Sequence, residues 1–193
     1  MSANHSKEVE IKFLVHAPTA LVRALQSAGF TEKTPSTFES NTLYDNALGD
    51  LRRAGEVLRL RLYGERWRLT HKSRGSTEAR HKSRVEHETG VEDGEQMHAI
   101  LLALGFSSSF VYEKYRAEWT DGVGDVVIDR TPIGHIAEIE GDPEWIDRTA
   151  RALGVHERDY ITASYIELFF RWKQRTGSAA INMTFEECGT ARP

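Results

Sequence analysis

The chain opens on a two-residue rhythm. In KEVEIKFLV (7–15) the charged Glu8, Glu10 and Lys12 fall two apart, and Val9, Ile11 and Phe13 fill the gaps. As a β-strand this segment carries one charged face and one apolar face. The rhythm returns where Leu58, Leu60 and Leu62 interleave with Arg59, Arg61 and Tyr63. Between Glu39 and Lys72 it predicts a strand, a turn, and two strands around a Gly64-Glu65 turn. RVEHETGV (84–91) is another alternating strand, and residues 110–141 predict three more, broken at Asp121-Gly122 and at Pro132 to Gly134.

Helical spacing marks four other segments. Pro18 opens one, with Leu21, Leu25 and Ala28 on one side and Gly29 as its stop. Asp93 caps a second, which Gly105 ends. Asp142 caps a third, with Pro143 at its first position. The last is predicted over 158–174, with Ile161, Tyr165, Leu168, Phe169 and Trp172 on its apolar side. The polar SRGSTEARHKS (73–83) predicts a mobile loop, and the small, polar residues from about Thr176 predict a poorly ordered tail. About seven or eight short strands joined by tight turns, with helices between them, predict an α+β protein: a mostly antiparallel sheet or barrel with peripheral helices. A chain of 193 residues suits one domain, taken here as 1–175 with a tail over 176–193.

Nearly every strand carries a charged face. Glu8, Glu10 and Lys12 are followed by Arg59 and Arg61, by Arg66, Arg68 and Lys72, by Arg84, Glu86 and Glu88, and by Lys114, Arg116 and Glu118. Asp125 and Asp129, then Glu138 and Glu140, complete the series. For any single strand, a solvated face with cross-strand ion pairs is the simpler reading. Taken together, apolar faces packed outward under helices would turn the charged faces toward each other inside a closed sheet. Buried charge needs partners, and both signs are present. Such an interior suits a polyanion with metal ions: Arg and Lys bind phosphate oxygens, and carboxylates bind Mg²⁺ or Mn²⁺.

Composition narrows the classes. A formal net charge of −4 argues against a general nucleic-acid binder. The lone Cys188 can form no intrachain disulfide, which fits a reducing compartment. The polar N-terminus shows no signal peptide and no apolar run approaches a membrane span, so the expectation is a cytoplasmic protein away from membranes.

EVEIKF matches the ExExK signature of the CYTH family, the triphosphate tunnel metalloenzymes. LRLR (58–61), LTHK (69–72), RVEHE (84–88), EKYR (113–116), VVIDRTPIGHIAEIEG (126–141) and SYIELF (164–169) follow in the family's order. The chain therefore resembles a family of class IV adenylate cyclases, thiamine triphosphatases and inorganic triphosphatases over roughly residues 7–173. The resemblance implies an eight-stranded antiparallel barrel forming a tunnel, a small-molecule triphosphate substrate, Mg²⁺ or Mn²⁺, and allows a homodimer. It implies that Lys12, Arg59, Arg61, Lys72, Lys114 and Arg116 hold triphosphate oxygens. Glu8, Glu10, Glu88, Asp129, Glu138 and Glu140 would serve the metal, with Glu86 a weaker candidate. Lys12 is also the candidate catalytic residue, orienting or deprotonating a nucleophilic water. The implied reaction is cyclisation of ATP or hydrolysis of a triphosphate, with a non-catalytic triphosphate-binding module as the alternative. By parity His71, His87 and His135 face away from the site. Tyr165 reads as core, and Trp67, Trp119, Trp145 and Trp172 read as packing residues.

Overall fold

The computed structural model describes residues 6–78 and 81–192. Its strands are β1 (Ser6–Leu14), β2 (Thr31–Asn46), β3 (Val57–Tyr63), β4 (Arg66–Lys72), β5 (Ser76–Glu78), β6 (His81–Val91), β7 (Phe106–Thr120), β8 (Asp125–Thr131) and β9 (Gly134–Glu140). Its helices are α1 (Pro18–Ser27), α2 (Asp50–Ala54), α3 (Gly94–Ala103), α4 (Pro143–Ala152) and α5 (Tyr165–Thr176). Every strand pairing is antiparallel, in the order β1-β9-β8-β7-β2-β3-β4-β6, and β6 returns to pair with β1 from Ser6↔Glu86 to Glu10↔Lys82. That last pairing closes an eight-stranded barrel, as expected, and β5 adds a short hairpin partner to β6.

The alternating pattern decides which face turns in. Ile11, Phe13, Val126, Ile128, Ala137 and Ile139 point outward and are buried against Leu21 and Leu25 of α1 and Trp145, Ile146 and Ala150 of α4. Outward residues of β3 and β4, among them Leu58, Leu60, Trp67 and Leu69, pack with Met97 and Leu101 of α3. Burial under helices keeps the apolar faces out of water and leaves the charged faces lining the interior.

At one end the inward face itself becomes apolar. Leu43 follows Glu39 and Asn41 on β2, Tyr112 and Phe110 precede Lys114 on β7, and Ile136 precedes Glu138 on β9. Helix α5 seats there, packing Tyr165, Leu168 and Phe169 into that cluster. It starts at Tyr165, later than the predicted 158, because Ser164 and Glu167 form a capping box. Ile161 meanwhile pairs with Lys12 of β1 through backbone bonds of 2.9 and 2.8 Å. The sequence also gave no sign of α2, a five-residue turn between left-handed Gly49 and Gly55.

Two expectations about loops are corrected. Most of 73–83 is extended: β5 pairs with the start of β6, where His81 and Ser83 are buried, while residues 79 and 80 lie outside the described residues. The segment from 178 to 192 packs on β7, with Met183 and Phe185 at 0% and 2% exposure. The strand edge it covers lies far from it in sequence, so local composition carried no trace of it. No helix among the described residues is long and apolar enough to cross a membrane.

Candidate active site

The barrel encloses a cavity of about 980 Å³ that opens between the α2 segment and α5. Every expected substrate-binding residue lines it: Lys12, Arg59, Arg61, Lys72, Lys114 and Arg116. A smaller cavity of about 470 Å³ adjoins it, lined by Glu8, Glu86, Asp125 and Glu140 beside the 120–124 turn.

The six cations are held in place by carboxylates. Lys12 Nζ lies 2.6 Å from Glu10 and 3.2 Å from Glu138. Lys72 pairs with Glu8 at 3.2 Å and with Glu86. Lys114 reaches Asp129 at 2.9 Å and Glu39 at 3.4 Å. Arg116 donates to both oxygens of Asp129, at 2.8 and 2.7 Å, and to Glu138 at 2.5 Å. Arg61 donates to Glu88 at 3.0 Å, and Arg59 donates to Tyr112 Oη and Thr70 Oγ1 at 3.3 Å each. The buried Nε atoms of Arg59, Arg61 and Arg84 have no hydrogen-bond acceptor among the described residues, leaving donors in the wall for an anion.

The expected metal set divides. Glu8, Glu10 and Glu140 bring carboxylate oxygens within 4.8 Å of one another. Glu138 and Asp129 lie among Lys12, Lys114 and Arg116, which occupy their oxygens. Glu88 is on another wall, bonded to Arg61, Arg68 and Thr70. Glu86 pairs with Lys72 beside Glu8.

The electrostatics follow these contacts. Burial, and then the charges of Glu138 and Glu8, push Glu140 well above the ordinary carboxylate range. Burial and a hydrogen bond with Glu8 raise Glu86 to about 7. Burial would raise Glu8 as well, but that shared hydrogen bond with Lys72 and Lys12 holds it at about 2. Four carboxyl groups, Glu8, Glu10, Glu86 and Glu140, meet here with Lys12, Lys72 and Lys82 at their edge, and a hard divalent cation with oxygen ligands matches this donor set. Burial opposes charge on Lys12, yet Glu10 and Glu138 more than offset it and raise Lys12 above an ordinary lysine. Lys12 therefore stays protonated at neutral pH. Of its two expected roles, this favours orienting a water over deprotonating it. Lys82, pushed down to about 8 by burial and by Lys12, adds a lysine that the sequence reading passed over.

Two further residues were missed or only partly read. Glu39 is fully buried among Lys114, Arg116 and Arg61. Burial would raise its carboxyl, but Lys114 and the arginines hold it at about 2. It escaped notice because β2 carries only this one acid at a central inward position, although its parity with Asn41 was readable. Tyr165 is core, as expected, but it also lines the cavity, and its hydroxyl donates to Asp129. Its ring stacks on Tyr112 at 5.6 Å, with Lys114 Nζ 4.7 Å from its centroid. Trp67, Trp119 and Trp145 sit in the outer clusters and Trp172, on α5, packs on Phe169, as expected.

The CYTH domain profile matches residues 6–165. A Methanocaldococcus jannaschii protein with a provisional adenylate cyclase name is 27% identical over 172 residues, covering 83% of this chain and 97% of its own. A Vibrio parahaemolyticus structure, also provisionally named an adenylate cyclase, superposes with a TM-score of 0.75 at 21% identity, covering 84% of this chain and 97% of its own. A Hippeastrum protein, provisionally named an adenylyl cyclase and described as having a dominant triphosphatase activity, gives 0.63 at 22% identity, covering 85% of this chain and 95% of its own. With its barrel closed, its inward strand faces charged and its profile match running from the first strand to the start of the last helix, this chain belongs to the CYTH domain family.

Proposed function

We propose that this protein is a divalent-metal-dependent enzyme that holds a triphosphate in its tunnel and hydrolyses the terminal phosphoryl group. One observation carries the reading. A single interior sets six cations, Lys12, Arg59, Arg61, Lys72, Lys114 and Arg116, beside the three-carboxylate group Glu8, Glu10 and Glu140. The cations fit phosphate oxygens, and the carboxylates fit Mg²⁺ or Mn²⁺. A cation held by Glu8, Glu10 and Glu140 would supply charge neutralisation and acidify water for attack.

The chain's own groups do the rest. Arg59, Arg61, Lys72, Lys114 and Arg116 bind the phosphates and offset charge that builds on the transferred group. Lys12, held between Glu10 and Glu138, keeps its proton and orients the nearest phosphate. Glu138, held well below the ordinary carboxylate range by Arg116 and Lys12 against the effect of burial, stays ionised and fixes both cations. Asp129 and Tyr165 brace Lys114 and Arg116 from behind.

A second reading, cyclisation of ATP, is favoured by the apolar part of the cavity wall. Leu43, Leu51, Val57, Phe110, Ile166 and Phe170 offer a surface for a nucleoside. Product analysis by anion-exchange chromatography separates the two. Purified protein is incubated with tripolyphosphate or ATP and with Mg²⁺ or Mn²⁺. Orthophosphate, released fastest from tripolyphosphate, supports hydrolysis. Cyclic AMP with pyrophosphate replaces it with cyclisation. Tight binding with no turnover under any divalent ion leaves a binding module.

A further inference from the structure

The segment 178–192 lies outside the family match, and β7 shows what it does. Strand β8 pairs with β7 only from Tyr115 to Thr120, so the β7 edge before Tyr115 has no strand on that side. The C-terminal segment takes that place. Met183 N donates to Val111 O and Glu113 N donates to Met183 O, each at 3.0 Å, while Val111 N donates to Asn182 Oδ1 at 2.9 Å. Glu113, on the outer face, accepts from Phe185 N at 3.0 Å and from Arg192 at 2.8 Å. Glu187 braces the strap from within, accepting from the backbone of Ile181 and Asn182 at 2.7 and 2.8 Å. Burial of Met183 and Phe185 anchors it.

The bonded residues alternate with cavity residues. Val111 and Glu113 meet the strap, and Tyr112, Lys114 and Arg116 face the interior. Tyr112 accepts from Arg59 and stacks on Tyr165. An unpaired strand edge frays, and displacement of β7 before Tyr115 would move Tyr112 and Lys114 together. We infer that the 178–192 strap is a positioning element for the triphosphate site, setting Tyr112 and Lys114 through the backbone of β7. The inference rests on the triphosphate reading above.

The test uses full-length protein with the double substitution Asn182→Ala and Arg192→Ala. Val155→Ala, in the outer cluster beneath α4, serves as a control of lowered stability away from the strap. Tripolyphosphate affinity is measured calorimetrically in EDTA, KM and kcat with Mg²⁺, and amide exchange at Val111 and Glu113. The double variant should weaken Kd and raise KM by about tenfold with kcat nearly unchanged, since a small misplacement of binding groups is costly. Exchange at Val111 and Glu113 should quicken. Val155→Ala and the conservative Arg192→Lys should bind as wild type does. Unchanged Kd in the double variant, or an equal loss in Val155→Ala, overturns the inference while wild-type binding leaves the triphosphate reading standing. Wild-type protein that does not bind tripolyphosphate removes both.

Discussion

Asp129→Asn offers a direct measure of how the tunnel holds its charge. Asp129 has 0% exposure and accepts from Lys114 at 2.9 Å, from Arg116 at 2.8 and 2.7 Å, and from the Tyr165 hydroxyl. An amide keeps the shape but removes the negative charge shared by two buried cations. Breaking a buried ion pair from one side costs about 3–5 kcal/mol. In a chain of this length each kcal/mol moves Tm by about 2–4 °C, so a fall of roughly 6–20 °C is expected. Tripolyphosphate should restore part of it. A ligand at about a hundred times its Kd adds about 2.7 kcal/mol, and the variant should gain more than wild type because Lys114 and Arg116 are freed for the phosphates. Thermal unfolding followed by dye fluorescence in EDTA, with and without tripolyphosphate, measures both effects. A loss under about 2 °C, no more than a surface change produces, would refute the bracing role. A ligand-induced rise no larger than that of wild type would show that Asp129 does not compete with phosphate for these cations.

Three other outcomes are expected. Glu39 sits at about 2 in the fold against an ordinary 4.5, so its stabilising effect is complete above pH 4.5 and fades as pH falls toward 2. Glu39→Gln should lower Tm at neutral pH and flatten the acid limb in that window, and calorimetry showing an equally steep limb would count against the assigned charge contacts. Lys12→Arg should keep the shape of the pH–rate profile below about pH 10 while lowering the rate, because a protonated Lys12 takes no proton from water. A lost basic limb in that variant would restore the base role. Glu140→Gln should weaken Mn²⁺ binding, read by titration calorimetry, beyond the roughly 10–100-fold seen for outer-shell partners. Metal-free tripolyphosphate binding should persist, and unchanged Mn²⁺ affinity would move the metal away from Glu8, Glu10 and Glu140.

Much of the fold was readable because a strand's two faces repeat every two residues. Glu8-Glu10-Lys12, Arg59-Arg61, Lys114-Arg116 and Glu138-Glu140 each announced an inward face, and the closed sheet brought all of them to one cavity. Cavity membership was thus a matter of parity. Which acid faces which cation was not, since that depends on the stagger between strands far apart in sequence. Glu138 meets Lys12 because β1 and β9 pair in register at those residues, and Glu88 falls among arginines because β6 reaches β4 beyond its contact with β1. Tyr165 looked like a core residue because helical spacing reports a buried side and not what that side meets.

The sequence by itself determined the alternation, the caps at Asp93 and Asp142, and hence a barrel with a charged interior and apolar outer faces. All of these are local, because side-chain direction and helix starts depend on residues a few positions away. Tertiary structure alone decided the gathering of Glu8, Glu10 and Glu140 at one corner, the placing of Glu138 and Asp129 on Arg116, the burial of Glu39, and the docking of 178–192 on β7. Each of these depends on distances between segments that meet only when the sheet closes, and a buried charge takes its role from the nearest partner in space.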